Sequence, residues 1–314
     1  MNMNRAWLVA MVATVAAGMA ATSMAAPAAC GGHGDKSTML VSTAWLAEHL
    51  NDSNLVVLAV GVKTEYDAGH IPGSLFLEYM DTHLMKGPTG LSVELPPMAD
   101  LAALFGKFGV TNNSRIVLYQ TKDWFTPTAR VYLTLDAMGL GRQAAVLDGG
   151  FPVWSKEGRP VTAEVRTVKP GMVETCQQND VIAYLDEVKA DVHHPGVAII
   201  DARAAEYYTG QTQPNDQRRG HIPGARSIPF TSLADSTGKL KSPAELAELF
   251  RAAGVKQGDR VIAYCHIGQQ ASAVYFAARY LGYDARLYDG SWEEWSAHKE
   301  LPAERSSPAT AGGH

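Results

Sequence analysis

Gly69-His70-Ile71-Pro72-Gly73-Ser74 occurs a second time as Gly220-His221-Ile222-Pro223-Gly224-Ala225. Working outward from this pair, the chain keeps repeating itself. Leu101-Ala102-Ala103-Leu104-Phe105 with Gly109-Val110 returns as Leu246-Ala247-Glu248-Leu249-Phe250 with Gly254-Val255. Arg115-Ile116-Val117-Leu118-Tyr119 returns as Arg260-Val261-Ile262-Ala263-Tyr264. Asp148-Gly149-Gly150-Phe151 with Trp154 returns as Asp289-Gly290-Ser291-Trp292 with Trp295. Matches in one order along both halves mean internal duplication. The 314 residues suit two domains of ordinary size.

Each half alternates short apolar runs with helical stretches. Leu55–Val60, Ile116–Tyr119 and Ala144–Leu147 have the continuous apolar character of buried strands. Their counterparts are Val197–Ile200, Val261–Tyr264 and Ala285–Tyr288. Ser242-Pro243-Ala244-Glu245 predicts a helix start, with Ser as N-cap, Pro at the first helical position and Glu three residues after the Ser. Gly254 should end that helix. This rhythm predicts an α/β fold with a mostly parallel sheet and helices on both faces of each half. Ala163 to Gln178, with Pro170 and Gly171 and no period, reads as the linker.

The beginning of the chain carries a different signal. Arg5, the apolar run Trp7 to Ala21 and the small residues Ala26-Pro27-Ala28 have the layout of a secretory leader over residues 1–28. Export to the periplasm or the exterior is the expectation, with no membrane association after leader removal. Cys30 follows Pro27-Ala28-Ala29, which lacks the Leu expected ahead of a lipidated cysteine. The net charge is −5 and no basic run occurs, which argues against nucleic acid and anionic membranes as partners. Three cysteines, all in different settings, do not resemble a disulfide framework. His193-His194 and Cys30-Gly31-Gly32-His33 lack the further partners a metal site needs, so neither a metal nor an organic cofactor is expected.

Cys265 is the residue that calls for a chemical explanation. It follows the strand Val261-Ile262-Ala263-Tyr264, precedes His266-Ile267-Gly268-Gln269-Gln270, and stands ahead of a helical stretch from Ala271 to Tyr280. The carboxyl edge of a parallel sheet is where ligands bind in such folds. Unpaired N–H groups at a helix start favour thiolate, and Gly268 permits a tight curve. The same cradle suits a persulfide anion. His266, when protonated, would add positive charge. At the matching position the first half has Gln120, which cannot act as a nucleophile, so that half is expected to be silent. From Gln120 to Asp148 are 28 positions, against 24 from Cys265 to Asp289, so the silent loop is longer.

These motifs together resemble the tandem-domain rhodanese family of sulfurtransferases, over about Met39 to Pro302. Gly-His-Ile-Pro-Gly resembles its amino-terminal signature, and Asp289-Gly290-Ser291-Trp292-Glu293-Glu294-Trp295 its carboxyl-terminal one; Asp201-Ala202-Arg203 also fits. The resemblance implies two rhodanese-like α/β domains, an inactive one over residues 38–162 and a catalytic one over 179–303. Residues 163–178 form the linker and 304–314 a flexible tail. It implies that Cys265 takes sulfane sulfur from thiosulfate or 3-mercaptopyruvate and hands it to cyanide or another thiophile. The partners expected are a small anionic donor, a thiophilic acceptor and, as an alternative, a protein that receives sulfur from a non-catalytic carrier.

Substrate contacts are expected from His266, Ile267, Gly268, Gln269 and Gln270. Arg203 and Arg219 are candidate anion contacts, the other reading being solvated surface charge or a structural ion pair. Asp201 could serve the site or a turn, and Trp292 and Trp295 could wall a pocket or pack. The loop lacks Arg and Lys, Glu206-Tyr207-Tyr208 stands where some members place a substrate-binding Arg, and Val60-Gly61-Val62 stands for Asp201-Ala202-Arg203 in the first half. Position 271, where a phosphatase loop would need Arg, is Ala271, so the bidentate phosphate clamp is missing. His70 and His221 occur in both halves and are expected to fix loops.

Overall fold

The computed structural model describes residues 32–122, 125–213 and 217–306. The leader reading and Cys30 lie outside them. In the first half the elements run β1 (Leu40–Val41), α1 (Thr43–His49), β2 (Leu55–Val60), α2 (Lys63–Ala68), β3 (Leu75–Leu77), α3 (Met98–Lys107), β4 (Arg115–Gln120), α4 (Thr126–Ala137), β5 (Ala144–Leu147) and α5 (Gly150–Lys156). The second half continues with β6 (Ile182–Ala183), α6 (Leu185–Asp191), β7 (Val197–Asp201), α7 (Ala205–Tyr208), β8 (Arg226–Ser227), α8 (Pro243–Ala252), β9 (Arg260–Tyr264), α9 (Ala271–Tyr280), β10 (Asp284–Tyr288) and α10 (Ser291–Ala297). A 3₁₀ turn at Tyr79–Thr82 and its counterpart Phe230–Leu233 follow β3 and β8.

The two sheets have the same order, β1-β5-β4-β2-β3 and β6-β10-β9-β7-β8, and every strand pair is parallel. Pairing fixes the correspondence between halves. Ala59 pairs with Tyr119 and Asp201 with Tyr264, so Ala59-Val60-Gly61 takes the place of Asp201-Ala202-Arg203. That corrects the expected match by one residue: the ladder, not the nearby sequence, sets it. The charges are missing from the first half in either alignment.

Residue parity divides the interior into three cores. On β9, Val261, Ala263 and the following Cys265 face one side, and Ile262 and Tyr264 the other. On β2, Leu58 and Val60 share the first side, while Val57 and Ala59 face a separate outer core. The first side is common to both halves. There α4 and α9 meet, with Phe276 edge-on to Phe125 (5.6 Å) and Tyr132 (4.9 Å). Tyr275 donates to Asp136 Oδ2 across the same contact (2.5 Å).

Local chemistry sets the element ends. The capping box of α8 forms as expected, Ser242 accepting from Glu245 and Glu245 accepting from Ser242, and Gly254 follows at φ +78°. His70 and His221 do fix loops: each stacks on a tyrosine, Tyr66 or Tyr208, and hydrogen-bonds that residue's carbonyl. Glu304, expected in the tail, is bridged to His221, because its backbone completes the hydrogen bonding of the His221 peptide. Cys176 is disulfide-bonded, a bond that the sequence, read as lacking a disulfide framework, did not lead one to expect; Cys265 is the free cysteine among the described residues.

Candidate active site

Cys265 leaves β9 at the carboxyl edge of its sheet, on the side shared by both halves. The six-residue loop from Cys265 to Gln270 then leads into α9. Gly268, at φ +91°, turns its amide back so that its N–H donates to Cys265 Sγ (3.2 Å). Among the described residues this is the amide that hydrogen-bonds the sulfur; the several-donor ring expected from the loop reduces to it. Gln270 caps α9 without a side-chain hydrogen bond, Ile267 and Gln269 are half-buried, and Gln270 Oε1 is buried with no protein partner.

The loop is anchored from α10. Ser291 Oγ accepts from the Cys265 amide (3.2 Å) and donates to the Tyr288 carbonyl (2.9 Å). Trp292 and Glu293 N–H groups donate to the carbonyls of Cys265 and His266 (3.0 Å each). Ser291 holds φ +50°, a conformation costly for a residue with a Cβ, where the first half has Gly150 at +58°.

The thiol itself has 0% exposure. An open cradle, the natural expectation for a reactive cysteine, is therefore not what forms: Cys265 is buried in the core common to both halves. His266 also differs from expectation. Burial, joined by the nearby Arg203 charge and opposed by Asp201, pushes its imidazole down to about 4. It is neutral at ordinary pH and stands edge-on to Tyr207 (4.5 Å).

Arg203 is placed as a structural charge. Its Nε and Nη2 grip Asp201 (2.9 and 2.6 Å), Nη2 also reaches the Gly220 carbonyl (2.7 Å), and the guanidinium lies over Trp292 (4.7 Å). Tyr264 Oη donates to the same carboxylate (2.7 Å). Burial works against the Arg203 charge, but Asp201, with smaller help from Tyr264 and Cys265, holds it above its ordinary value. Arg219 is exposed and tied to Gln213 and the Gln211 carbonyl; its neighbour Arg218 does the structural work, donating to four carbonyls around α10. Trp292 and Trp295 pack, each with its indole N–H on a backbone carbonyl.

The first half reaches into this site. Ser92 donates through N–H and Oγ to Glu293 (2.9 and 3.0 Å), and Arg130 Nη2 donates to Asp289 Oδ1 (2.8 Å). The exchange is pseudo-symmetric: Leu240 of the second half donates to Asp148 (3.0 Å), the counterpart of Asp289.

The rhodanese-like domain family matches residues 42–157 and 184–298. The chain belongs to the rhodanese-like family. It is 32% identical over 272 residues to the sulfur carrier protein TtuD of Thermus thermophilus, covering 82% of this chain and 93% of that one. It is 30% identical over 293 residues to the thiosulfate sulfurtransferase of Cricetulus griseus, covering 87% and 96%. Among solved structures, the 3-mercaptopyruvate sulfurtransferase SseA of Escherichia coli superposes with a TM-score of 0.72 at 27% identity, covering 81% of this chain and 99% of SseA.

Within this rhodanese-like pair, sequence reading missed Ser291, Arg130 and Tyr79. Ser291 had a signal, as the side chain that replaces a glycine of the repeat. Arg130 had one too, a lone charge inside Thr128-Ala129-Arg130-Val131-Tyr132-Leu133, all of it buried. Tyr79 had none.

Proposed function

We propose that this sulfurtransferase of the rhodanese family moves sulfane sulfur from thiosulfate, or from 3-mercaptopyruvate, through a persulfide on Cys265. The Cys265 thiolate attacks the outer sulfur of the donor. The new S–S bond gives Cys–S–S⁻; the S–S bond of thiosulfate breaks with its electron pair leaving on sulfite, or the C–S bond of 3-mercaptopyruvate breaks and the enolate released takes up the thiol proton to leave as pyruvate. Cyanide or another thiophile then takes the outer sulfur and returns the thiolate. The observation that carries this reading is the Gly268 N–H on Sγ at the carboxyl end of β9, a donor that favours thiolate and persulfide alike. Because Cys265 has 0% exposure, the donor reaches it only when the covering faces part.

A second reading, a carrier that passes sulfur to a protein, is favoured by the similarity to a protein named a sulfur carrier. Mass spectrometry after thiosulfate treatment tests both. A gain of one sulfur on Cys265, removed by cyanide with thiocyanate formed, fits the enzyme. Loading without discharge to small thiophiles fits the carrier, and no loading from either donor defeats both. Export completes the proposal: the mature protein should begin after the leader, and an intact amino terminus on the periplasmic or secreted protein would contradict it.

A further inference from the structure

The Cys265 loop contains no Arg or Lys, yet a sulfonate-bearing donor needs a cation. The silent half holds one. Arg130 of α4 has 0% exposure, and its Nη2 is occupied by the Val93 carbonyl (2.6 Å) and Asp289 (2.8 Å). Its Nε and Nη1 are buried with no protein partner. Nη1 points at the loop: a Cβ added to Gly268 would lie 3.1 Å from it. Beside it, Tyr79 Oη and His83 Nδ1 are also buried without partners, their rings 4.5 Å apart.

Buried guanidinium N–H groups left unmet are costly, and Arg and Tyr here offer donors. The group that satisfies them is an acceptor with several oxygens and negative charge. Asp289 takes one nitrogen of the guanidinium and leaves two others free. Tyr79 belongs to the same electrostatic neighbourhood: burial raises its phenol above the ordinary range, the Arg130 charge opposes this, and Cys265 and Asp289 add to it. Its hydroxyl therefore remains a donor.

We propose that Arg130 and Tyr79, from the catalytically silent half, form the subsite for the oxyanion end of the sulfur donor, aligning its outer sulfur with Cys265. The assignment rests on the sulfur-transfer reading above and adds to it: the cation missing from the catalytic loop is supplied across the domain contact, on a buried fork suited to oxyanions. The departing sulfite, or the carboxylate of pyruvate, is held by the same donors.

The test separates binding from chemistry. In a Cys265→Ser background, calorimetric titration with thiosulfate should give saturable binding. Arg130→Gln should weaken it about tenfold or more, and Tyr79→Phe roughly three- to tenfold, the loss expected for one charge-assisted or one neutral hydrogen bond. In the enzyme with Cys265, both substitutions should raise KM for thiosulfate by more than they lower kcat. Thiosulfate affinity equal to that of the parent in folded Arg130→Gln and Tyr79→Phe overturns the subsite. If Arg130→Gln does not fold, Tyr79→Phe decides alone, since its loss of one hydroxyl leaves the Asp289 pair intact. Arg130-dependent binding without any sulfur gained by Cys265 would leave the subsite standing and remove the sulfur-transfer reading instead.

Discussion

Gly268→Ala is the substitution whose outcome the site geometry specifies most fully. Gly268 sits at φ +91°, where a residue with a Cβ carries strain of about 1–3 kcal/mol. The added carbon would meet Arg130 Nη1 at 3.1 Å and the Asp289 carbonyl at 3.3 Å. Neither neighbour yields readily: Arg130 is pinned at Val93 and Asp289, so the loop must move instead. That movement carries the Gly268 N–H away from Cys265 Sγ. A hydrogen bond to a charged group contributes about 1.5–3 kcal/mol, which at about 1.4 kcal/mol per tenfold in rate slows persulfide formation about 10- to 100-fold. The assay is the time course of sulfur gain on Cys265 after a thiosulfate pulse, read by intact mass, alongside a urea melt. Gly282→Ala is the control. It has nearly the same backbone, φ +88°, but nothing within 4 Å of the added carbon, so it should lose stability and load at the parent rate. Equal loading rates for Gly268→Ala and the parent would refute the role given to this amide, as would an equal slowing by Gly282→Ala.

Three further outcomes follow from the contacts around the loop. Arg203→Ala strands the buried Asp201 carboxylate and should cost about 3–5 kcal/mol in urea denaturation, whereas Arg219→Ala should stay within about 0.5 kcal/mol; equal effects would show that Arg203 is no structural pair. His266, pushed down to about 4 from 6.5, stays neutral in the folded protein while the unfolded chain takes up its proton near 6.5. The associated stability is thus whole above the unfolded value and is lost as pH falls toward the folded one. His266→Gln should flatten that decline, and parent loading should show no inflection near 6.5 that the variant abolishes. Tyr275→Phe removes the hydroxyl from Asp136 Oδ2 and should destabilise by about 1–3 kcal/mol, an unchanged melting midpoint being the contrary result.

The long central strands were legible because buried parallel strands are written as continuous apolar runs: Leu55–Val60 and Ala144–Leu147 have the observed ends. The edge strands were not, since β1, β6 and β8 are two residues long and two residues carry no period. Cys265 was legible from its place between strand and helix. Its burial was not, because the core that takes it in draws on both halves, and neither was the neutrality of His266, which depends on its burial and on the Arg203 charge. Arg203 and Arg219 illustrate the general difficulty. A sequence shows that a charge exists, but the partner that occupies it, Asp201 in one case and solvent-side Gln213 in the other, is a matter of folding.

The common core beneath α4 and α9 has a consequence for the history of the chain. A duplicated copy that loses its nucleophile would ordinarily be free to decay or be deleted. Here Phe125, Tyr132 and Phe276 join the two copies so closely that removing either would strip a wall from the survivor's interior. Redundancy has become dependence, and the ancestral single-unit form is no longer reachable by simple loss.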